Sequence, residues 1–316
     1  MSKKVLLIAG GGALGSYTEK ELLRLGHSVD VICLNEKVSN NSKLRYFNEN
    51  ATLDFLQTLF NENHYDGIVN FLHYYNAEEY EPYHKILSEN TDHLIFVSSY
   101  RVYADEQHPV TETAPLLCDV IKDDEEFFEK EVYALGKCRC EKYLNSLTKN
   151  KNWSIIRPVI SFAGNRFDLF MYSGQDIANA VKNDSALDLP LIAKSLTAGL
   201  DWAGNSGKLI ANILFKPAAF GEAYTVSSGQ NLTWGQVAQY YNEIFGLKVN
   251  WVENEKYLDK NWDDWDKFRL KYDRLFSRDI DCSKVLKVTG LNKSDFCDIK
   301  TALTLELEQI SKQGEN

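Results

Sequence analysis

The sequence predicts an α/β protein, a doubly wound parallel sheet with a smaller C-terminal substrate lobe. Three observations predict it. Strand-like and helix-like stretches alternate through the first half, and the first strand is an unbroken apolar run. Beyond residue 158 the pattern changes, with Gly, Ser and Asn frequent among short elements.

Val5–Ala9 is continuously apolar, as expected of a strand covered on both faces. Leu14–Leu25 has apolar residues at helical spacing and ends at Gly26-His27, where glycine suits a helix C-terminus. Strands follow at Val29–Leu34, Gly67–Leu72 and His93–Ser98, with helices at Ala51–Phe60 and Tyr80–Glu89 between them. An acidic stretch, Asp123-Asp124-Glu125-Glu126, leads into a helix from about Phe127 to Leu147. Trp153–Ile156 reads as a strand stopped by Arg157-Pro158, and a long amphipathic helix runs from about Phe296 to Ile310. The expected division is a dinucleotide domain over 1–160, with the chain returning to it near 200–230. The smaller lobe takes about 161–200 and 231–316. Trp262-Asp263-Asp264-Trp265 is too polar for a core and reads as a half-buried surface turn, with a substrate-side loop or oligomer contact as the alternative.

Composition narrows the function. Asp and Glu outnumber Lys and Arg 45 to 35, a formal net charge of −10, so no nucleic-acid partner is expected. No apolar run has the length to cross a bilayer, so no membrane partner is expected either. The apolar stretch after Lys3-Lys4 is short and runs into glycines, which fits a buried strand better than a secretory signal. Six cysteines without a Cys-x-x-Cys pair read as reduced thiols, and the expected location is cytoplasmic. Cys138 and Cys140 are two apart on a predicted helix and face different ways, so no metal site is expected.

Between the first strand and first helix lies Gly10-Gly11-Gly12-Ala13-Leu14-Gly15, containing Gly-x-Gly-x-x-Gly at Gly10, Gly12 and Gly15. Small residues allow a tight turn and close approach to a pyrophosphate, which then faces the amides of the helix N-terminus. This strand–turn–helix setting predicts a dinucleotide in a Rossmann-type domain, held at Gly10, Gly12, Ala13, Leu14 and Gly15. The second strand ends Cys33-Leu34-Asn35-Glu36-Lys37, with neither an acid nor a base where the ribose is read. Asn35 is the candidate there, and NAD and NADP both stay open.

A second constellation supplies chemistry. Ser98-Ser99 ends a buried strand, and Tyr133 and Lys137 sit four apart on a predicted helix, sharing a face. A phenol is a poor base at neutral pH. A nearby ammonium and a positive nicotinamide stabilise the phenolate, while a serine hydroxyl holds the substrate oxygen.

With these residues assembled, the chain resembles the extended branch of the short-chain dehydrogenase/reductase superfamily, the NAD-dependent epimerase/dehydratase family. Val97-Ser98-Ser99-Tyr100-Arg101-Val102-Tyr103 is similar to its Ser-Ser-x-x-Val-Tyr segment, and Thr111-Glu112-Thr113-Ala114-Pro115 to its Thr-Glu-x-x-Pro loop. Tyr133 and Lys137 match its catalytic pair, Ile156-Arg157-Pro158 with Gly164 its turn into the substrate lobe, and Asp281-Cys282-Ser283-Lys284 its late Asp-x-Ser-Lys element. The resemblance implies an NAD(P)-dependent oxidoreductase or epimerase acting on a hydroxyl or carbonyl of a nucleotide sugar. It assigns catalysis to Ser99, Tyr133 and Lys137. It adds Tyr133, Lys137 and Pro158 to the cofactor contacts, substrate contacts at Ser99 and Tyr100, and a homodimer. Arg166, just past Gly164, reads either as a bidentate contact to a diphosphate or as an ordinary surface residue.

Departures qualify it. Ala9 stands where the family's first glycine falls, and Ala fits there if its φ is negative. Ala203-Gly204-Asn205 replaces the usual Val-Asp-Asp, and the segment 119–131 is an acidic insertion that reads as a solvated loop or a lid. Sugar 4,6-dehydration is disfavoured, because Tyr100 and Arg101 occupy the positions of the dehydratase acids. The other class of reading is a non-catalytic relative that binds a dinucleotide as a regulatory ligand, or binds RNA.

Overall fold

The computed structural model describes residues 1–164, 166–260 and 262–314, with side chains described as far as residue 308. Among these residues the strands are β1 (Lys4–Ile8), β2 (Ser28–Ile32), β3 (Leu44–Phe47), β4 (Tyr65–Asn70), β5 (Thr91–Val97), β6 (Trp153–Pro158), β7 (Ile160–Phe162), β8 (Ala186–Pro190), β9 (Leu200–Trp202), β10 (Glu222–Val226) and β11 (Lys248–Val252). Seven of them form one sheet in the order β10-β6-β5-β4-β1-β2-β3, every pair parallel. Strand order reverses between β1 and β4, and ligands of such sheets bind in the crevice at that switch point.

The helices are α1 (Ala13–Arg24), α2 (Leu53–Glu62), α3 (Ala77–Glu89), α4 (Leu117–Val120), α5 (Glu125–Lys130), α6 (Val132–Ser146), α7 (Gly174–Lys182), α8 (Ala203–Ile213) and α9 (Trp234–Phe245), with a closing helix at Ile299–Gly314 among the shorter turns that follow. The apolar run of β1 is unbroken because both faces are covered. Val5 and Leu7 join Leu209, Ile210 and Ile213 of α8 on one side. Leu6 and Ile8 join Leu56, Tyr80 and Leu144 on the other. Gly207 lets α8 lie against α1, since a Cβ there would sit 2.6 Å from the Tyr17 carbonyl carbon. A separate apolar cluster gathers Phe162, Phe170, Leu189, Trp234, Tyr241 and Leu303 with Tyr100, Tyr103 and Val110 from the chain after β5.

Several expectations need correction. β3 was not foreseen: four residues at the sheet edge carry too little alternation to stand out. β6 does not stop at Ile156 but continues through Arg157 to Pro158, where the missing amide is tolerated beside the edge strand β10. The helix foreseen over Phe127–Leu147 is two helices. Glu131 leaves helical geometry at φ −83°, ψ 58°, and its carboxylate accepts from the Ala134 amide to cap α6. The acidic insertion is not an open solvated loop, for it carries α4 and α5. Its Phe127 is fully buried against Phe268 and Tyr272, and Asp124 pairs with Lys271 at 3.1 Å. Of the two tryptophans flanking Asp263-Asp264, Trp262 is half-buried with its indole donating to the Tyr257 carbonyl, whereas Trp265 is exposed. Ala9 has φ +55°, not a negative value. The turn out of β1 needs a left-handed residue at that point, and the exposed alanine adopts it at a steric cost.

Candidate active site

The glycine turn follows the strained Ala9. Its glycines serve different ends. A Cβ on Gly15 would lie 2.2 Å from the Gly10 carbonyl oxygen, and one on Gly10 would lie 2.8 Å from the Leu7 Cβ. Both are therefore demanded by packing of the helix onto the strands. Gly12 is different. It has φ −79°, allowed to any residue, and a Cβ there would meet nothing within 4 Å. Gly12 is also the N-cap of α1, and no side chain caps that end. An open backbone beside uncapped helix amides fits a pyrophosphate, so these residues suit a dinucleotide.

Two cavities open at the carboxyl ends of the strands. One, of about 270 Å³, is lined by Ala9, Gly11, Gly12, Cys33, Leu34, Asn35, Glu49, Asn50, Ala51 and Leu72 among others. Asn35 is there as expected. Glu49 and Asn50, delivered by the unforeseen β3, were missed. Lys37 reaches back so that its Nζ lies 3.4 Å from the Gly11 carbonyl. The other cavity, of about 410 Å³, brings together Leu14, Ser99, Tyr100, Tyr133, Lys137, Pro158 and Arg166, all candidates from the sequence. Phe71 and His73 line this second cavity while Leu72 lines the first, so the end of β4 divides the two. Gly10, Ala13 and Gly15 line neither.

Ser99 lies two residues past β5 and caps a 3₁₀ turn at Tyr100–Val102, its Oγ accepting from the Arg101 amide at 3.2 Å. Tyr133 is the second residue of α6, with about a third of it exposed, stacked on His73 at 5.1 Å between ring centroids. Lys137, one turn on, is buried, and its Nζ donates to the carbonyls of Leu72 at 2.9 Å and Val97 at 2.7 Å. Burial pulls its pKa down to about 8, against the opposing pull of Cys140 and Glu141. α6 approaches this closely because of Gly136, where a Cβ would lie 2.3 Å from the Tyr74 carbonyl oxygen.

Further cavity residues were not foreseen. His73 lies on the Tyr133 ring, and burial, followed by the Lys137 charge, holds its pKa below the ordinary value. Arg269, Asp273 and Arg274 come from the lobe. They lie on a helical stretch that opens into a π-turn at Leu270–Arg274, where the Leu275 amide reaches back five residues to the Leu270 carbonyl. That widened turn places Arg269 and Arg274, five apart, on one cavity wall.

Other residues of the resemblance brace the site rather than face it. Arg157 makes a buried two-armed pair with Glu141 at 3.1 and 2.6 Å, and donates to the Tyr103 hydroxyl and the Glu112 carbonyl. Glu112 in turn accepts from the Thr225 amide at 2.8 Å, joining the loop to β10.

No family model matches the sequence, nor does any curated protein. Solved structures do match it over nearly all of their length. Epimerase Mth375 from Methanothermobacter thermautotrophicus aligns with TM-score 0.71 at 14% identity, covering 98% of this chain and 95% of that one. The UDP-N-acetylglucosamine 4-epimerase of Bacillus cereus aligns with TM-score 0.67 at 17% identity over 98% and 99%. The UDP-glucose 4-epimerase of Stenotrophomonas maltophila, solved with NAD and formylated UDP-arabinopyranose, gives 0.68 at 14% over 99% of each. The chain has the fold of these epimerases.

Proposed function

We propose that this chain is an NAD(P)-dependent epimerase or reductase acting on a nucleotide sugar. The observation that carries the reading is one cavity shared by Ser99, Tyr133, Lys137, Leu14 of the glycine turn and Pro158. The reading assigns the cofactor to residues 1–160 with the returning 200–230, and the sugar to the lobe. Structural likeness to NAD-bound 4-epimerases supports it. Bound across the two cavities, the dinucleotide would supply a nicotinamide able to accept and return a hydride.

The chain's own residues manage the proton. Ser99 holds the substrate oxygen. Tyr133 takes the proton from that hydroxyl and later returns it, and the buried ammonium of Lys137 stabilises the phenolate between the two steps. The arginines in the cavity suit the diphosphate of a sugar nucleotide, Arg166 among them. Dehydration is disfavoured because the turn after Ser99 bears no acid. The one carboxyl lining the cavity, Asp273, is raised by burial but lowered further by Arg274, Arg101, Arg278 and Arg269, so it stays ionised and is no proton donor.

The test is Tyr133→Phe. Epimer ratios of UDP-sugars incubated with protein and NAD or NADP, followed by NMR, should show turnover reduced about 100-fold or more, with dinucleotide binding retained. Unchanged turnover would remove Tyr133 from this role.

A further inference from the structure

The charge of the larger cavity is out of keeping with the chain. In a protein of net charge −10, five lining residues are cationic (Arg101, Lys137, Arg166, Arg269, Arg274) and one, Asp273, is acidic. The arginines form a ladder with carboxylates between them. Arg166 lies 3.2 Å from Asp168, Asp168 lies 4.0 Å from Arg274, and Arg274 and Arg101 each hold Nε 3.8 Å from the same Asp273 oxygen. Arg101 then meets Glu131 at 2.6 Å.

Only the two ends of this ladder are closed at hydrogen-bonding distance. In the middle, Nε of Arg101 and Nε and Nη1 of Arg274 are buried without a hydrogen-bond partner. Buried guanidinium donors left open are costly, and the acceptor that matches them is an anionic oxygen. Burial, and then neighbouring guanidinium charge, also holds Arg269 below its ordinary pKa.

The inner end of the ladder sits at the reacting group. Arg101 is two residues past Ser99, its guanidinium carbon is 5.7 Å from the Tyr133 ring centroid, and its partner Glu131 caps the helix that carries Tyr133. A nucleotide sugar joins its diphosphate at one ring carbon and reacts at another across the ring. A diphosphate on the outer rungs near Arg166 therefore leaves the inner donors unmatched. At the inner end Arg101 and Arg274 both line the cavity, and each lies 3.8 Å from the one oxygen of Asp273 that they share. With the diphosphate placed near Arg166, the anion that reaches them is one carried on the sugar ring itself, and an oxidised ring substituent supplies it as a carboxylate.

We propose that the inner end of the cavity binds a carboxylate carried on the sugar ring, held by Arg101 with Arg274 beside it, so that the substrate is a nucleotide-linked sugar acid. This rests on the nucleotide-sugar reading and specifies its substrate class.

The experiment compares UDP-glucuronate with UDP-glucose, which differ only in that carboxylate, by calorimetric titration of the NAD-loaded protein and by NMR of their interconversion. The acid should bind about 10- to 100-fold more tightly, the worth of one charge-assisted contact. Arg101→Gln should bring that ratio close to one. Because it leaves Glu131 unpaired, the double variant Arg101→Gln/Glu131→Gln repeats the measurement with an uncharged cap, and the wild-type ratio needs no variant at all. Equal affinity for the two sugars, or a variant that weakens both alike, would overturn the sugar-acid inference. Epimerisation of UDP-glucose with no preference for the acid would overturn it while leaving the proposed function standing. Binding of neither sugar would overturn both.

Discussion

Gly12 offers the sharpest test of the dinucleotide site, because the fold does not need it. A Cβ at Gly12 meets nothing within 4 Å, whereas one at Gly15 lands 2.2 Å from the Gly10 carbonyl oxygen. Gly12→Ala loses a favourable N-cap residue, worth up to about 1 kcal/mol, and gains about 0.4–1 kcal/mol through a less free unfolded chain. The two nearly cancel. Its stability should match the wild type in urea denaturation. Its affinity for NAD or NADP, measured by titration, should fall about 10- to 100-fold, because the new methyl group pushes the pyrophosphate off the helix amides. Gly15→Ala inverts the pattern. There α1 must retreat from a backbone atom that cannot yield, and overpacking of this kind costs about 1–3 kcal/mol or more. A stable Gly12→Ala protein that binds both dinucleotides as tightly as the wild type would refute the assignment of this turn to the cofactor.

Two further outcomes test the strain and the titration behaviour. Ala9→Gly should stabilise the chain by about 0.5–1 kcal/mol. The left-handed alanine costs about 1–2 kcal/mol, offset in part by the freer unfolded glycine, and an unchanged urea midpoint would show that φ +55° carries no strain. Burial lowers His84 and His93 to about 4. Between pH 6.5 and 4 the unfolded chain therefore binds protons that the folded chain refuses. Stability should fall with pH across that window, by roughly 3 kcal/mol for each histidine at its lower end. Denaturation free energies that stay flat from pH 6.5 to 5.5 would contradict this.

What could be read from the sequence was local or ordered along the chain. The glycine turn, the strand ending at Ser99 and the pairing of Tyr133 with Lys137 all rest on near neighbours. The arginine ladder does not. Arg101 and Arg274 are far apart in sequence and are brought together only by the tertiary fold, each 3.8 Å from Asp273. Arg269 and Arg274 share a wall only because a π-turn replaces the α-helical period that sequence reading assumes. His73 lies just past β4, where nothing local marks it, and it gains meaning only from stacking on Tyr133. Glu49 and Asn50 were hidden with the short edge strand that delivers them. Ala9 could be named as a departure, but its φ is set by the path the chain takes after β1.

The residues of the resemblance divide once their contacts are known. Arg157, Tyr103, Glu112 and Glu141 form one buried network that ties β6, α6, the 3₁₀ turn and the loop before α4 to the sheet. Removing Glu141 would strand a buried guanidinium, a change that typically costs about 3–5 kcal/mol. Such residues report architecture and would be required whatever reaction the cavity carried. Ser99 and Tyr133 brace little, since Tyr133 is partly exposed and Ser99 holds only a local turn amide, whereas Lys137 also ties α6 to the chain after β4 and to the end of β5 through the Leu72 and Val97 carbonyls. On the proposed reading, substrate choice falls to a third group, Arg101 and Arg274, whose open donors neither the bracing network nor the proton chemistry uses.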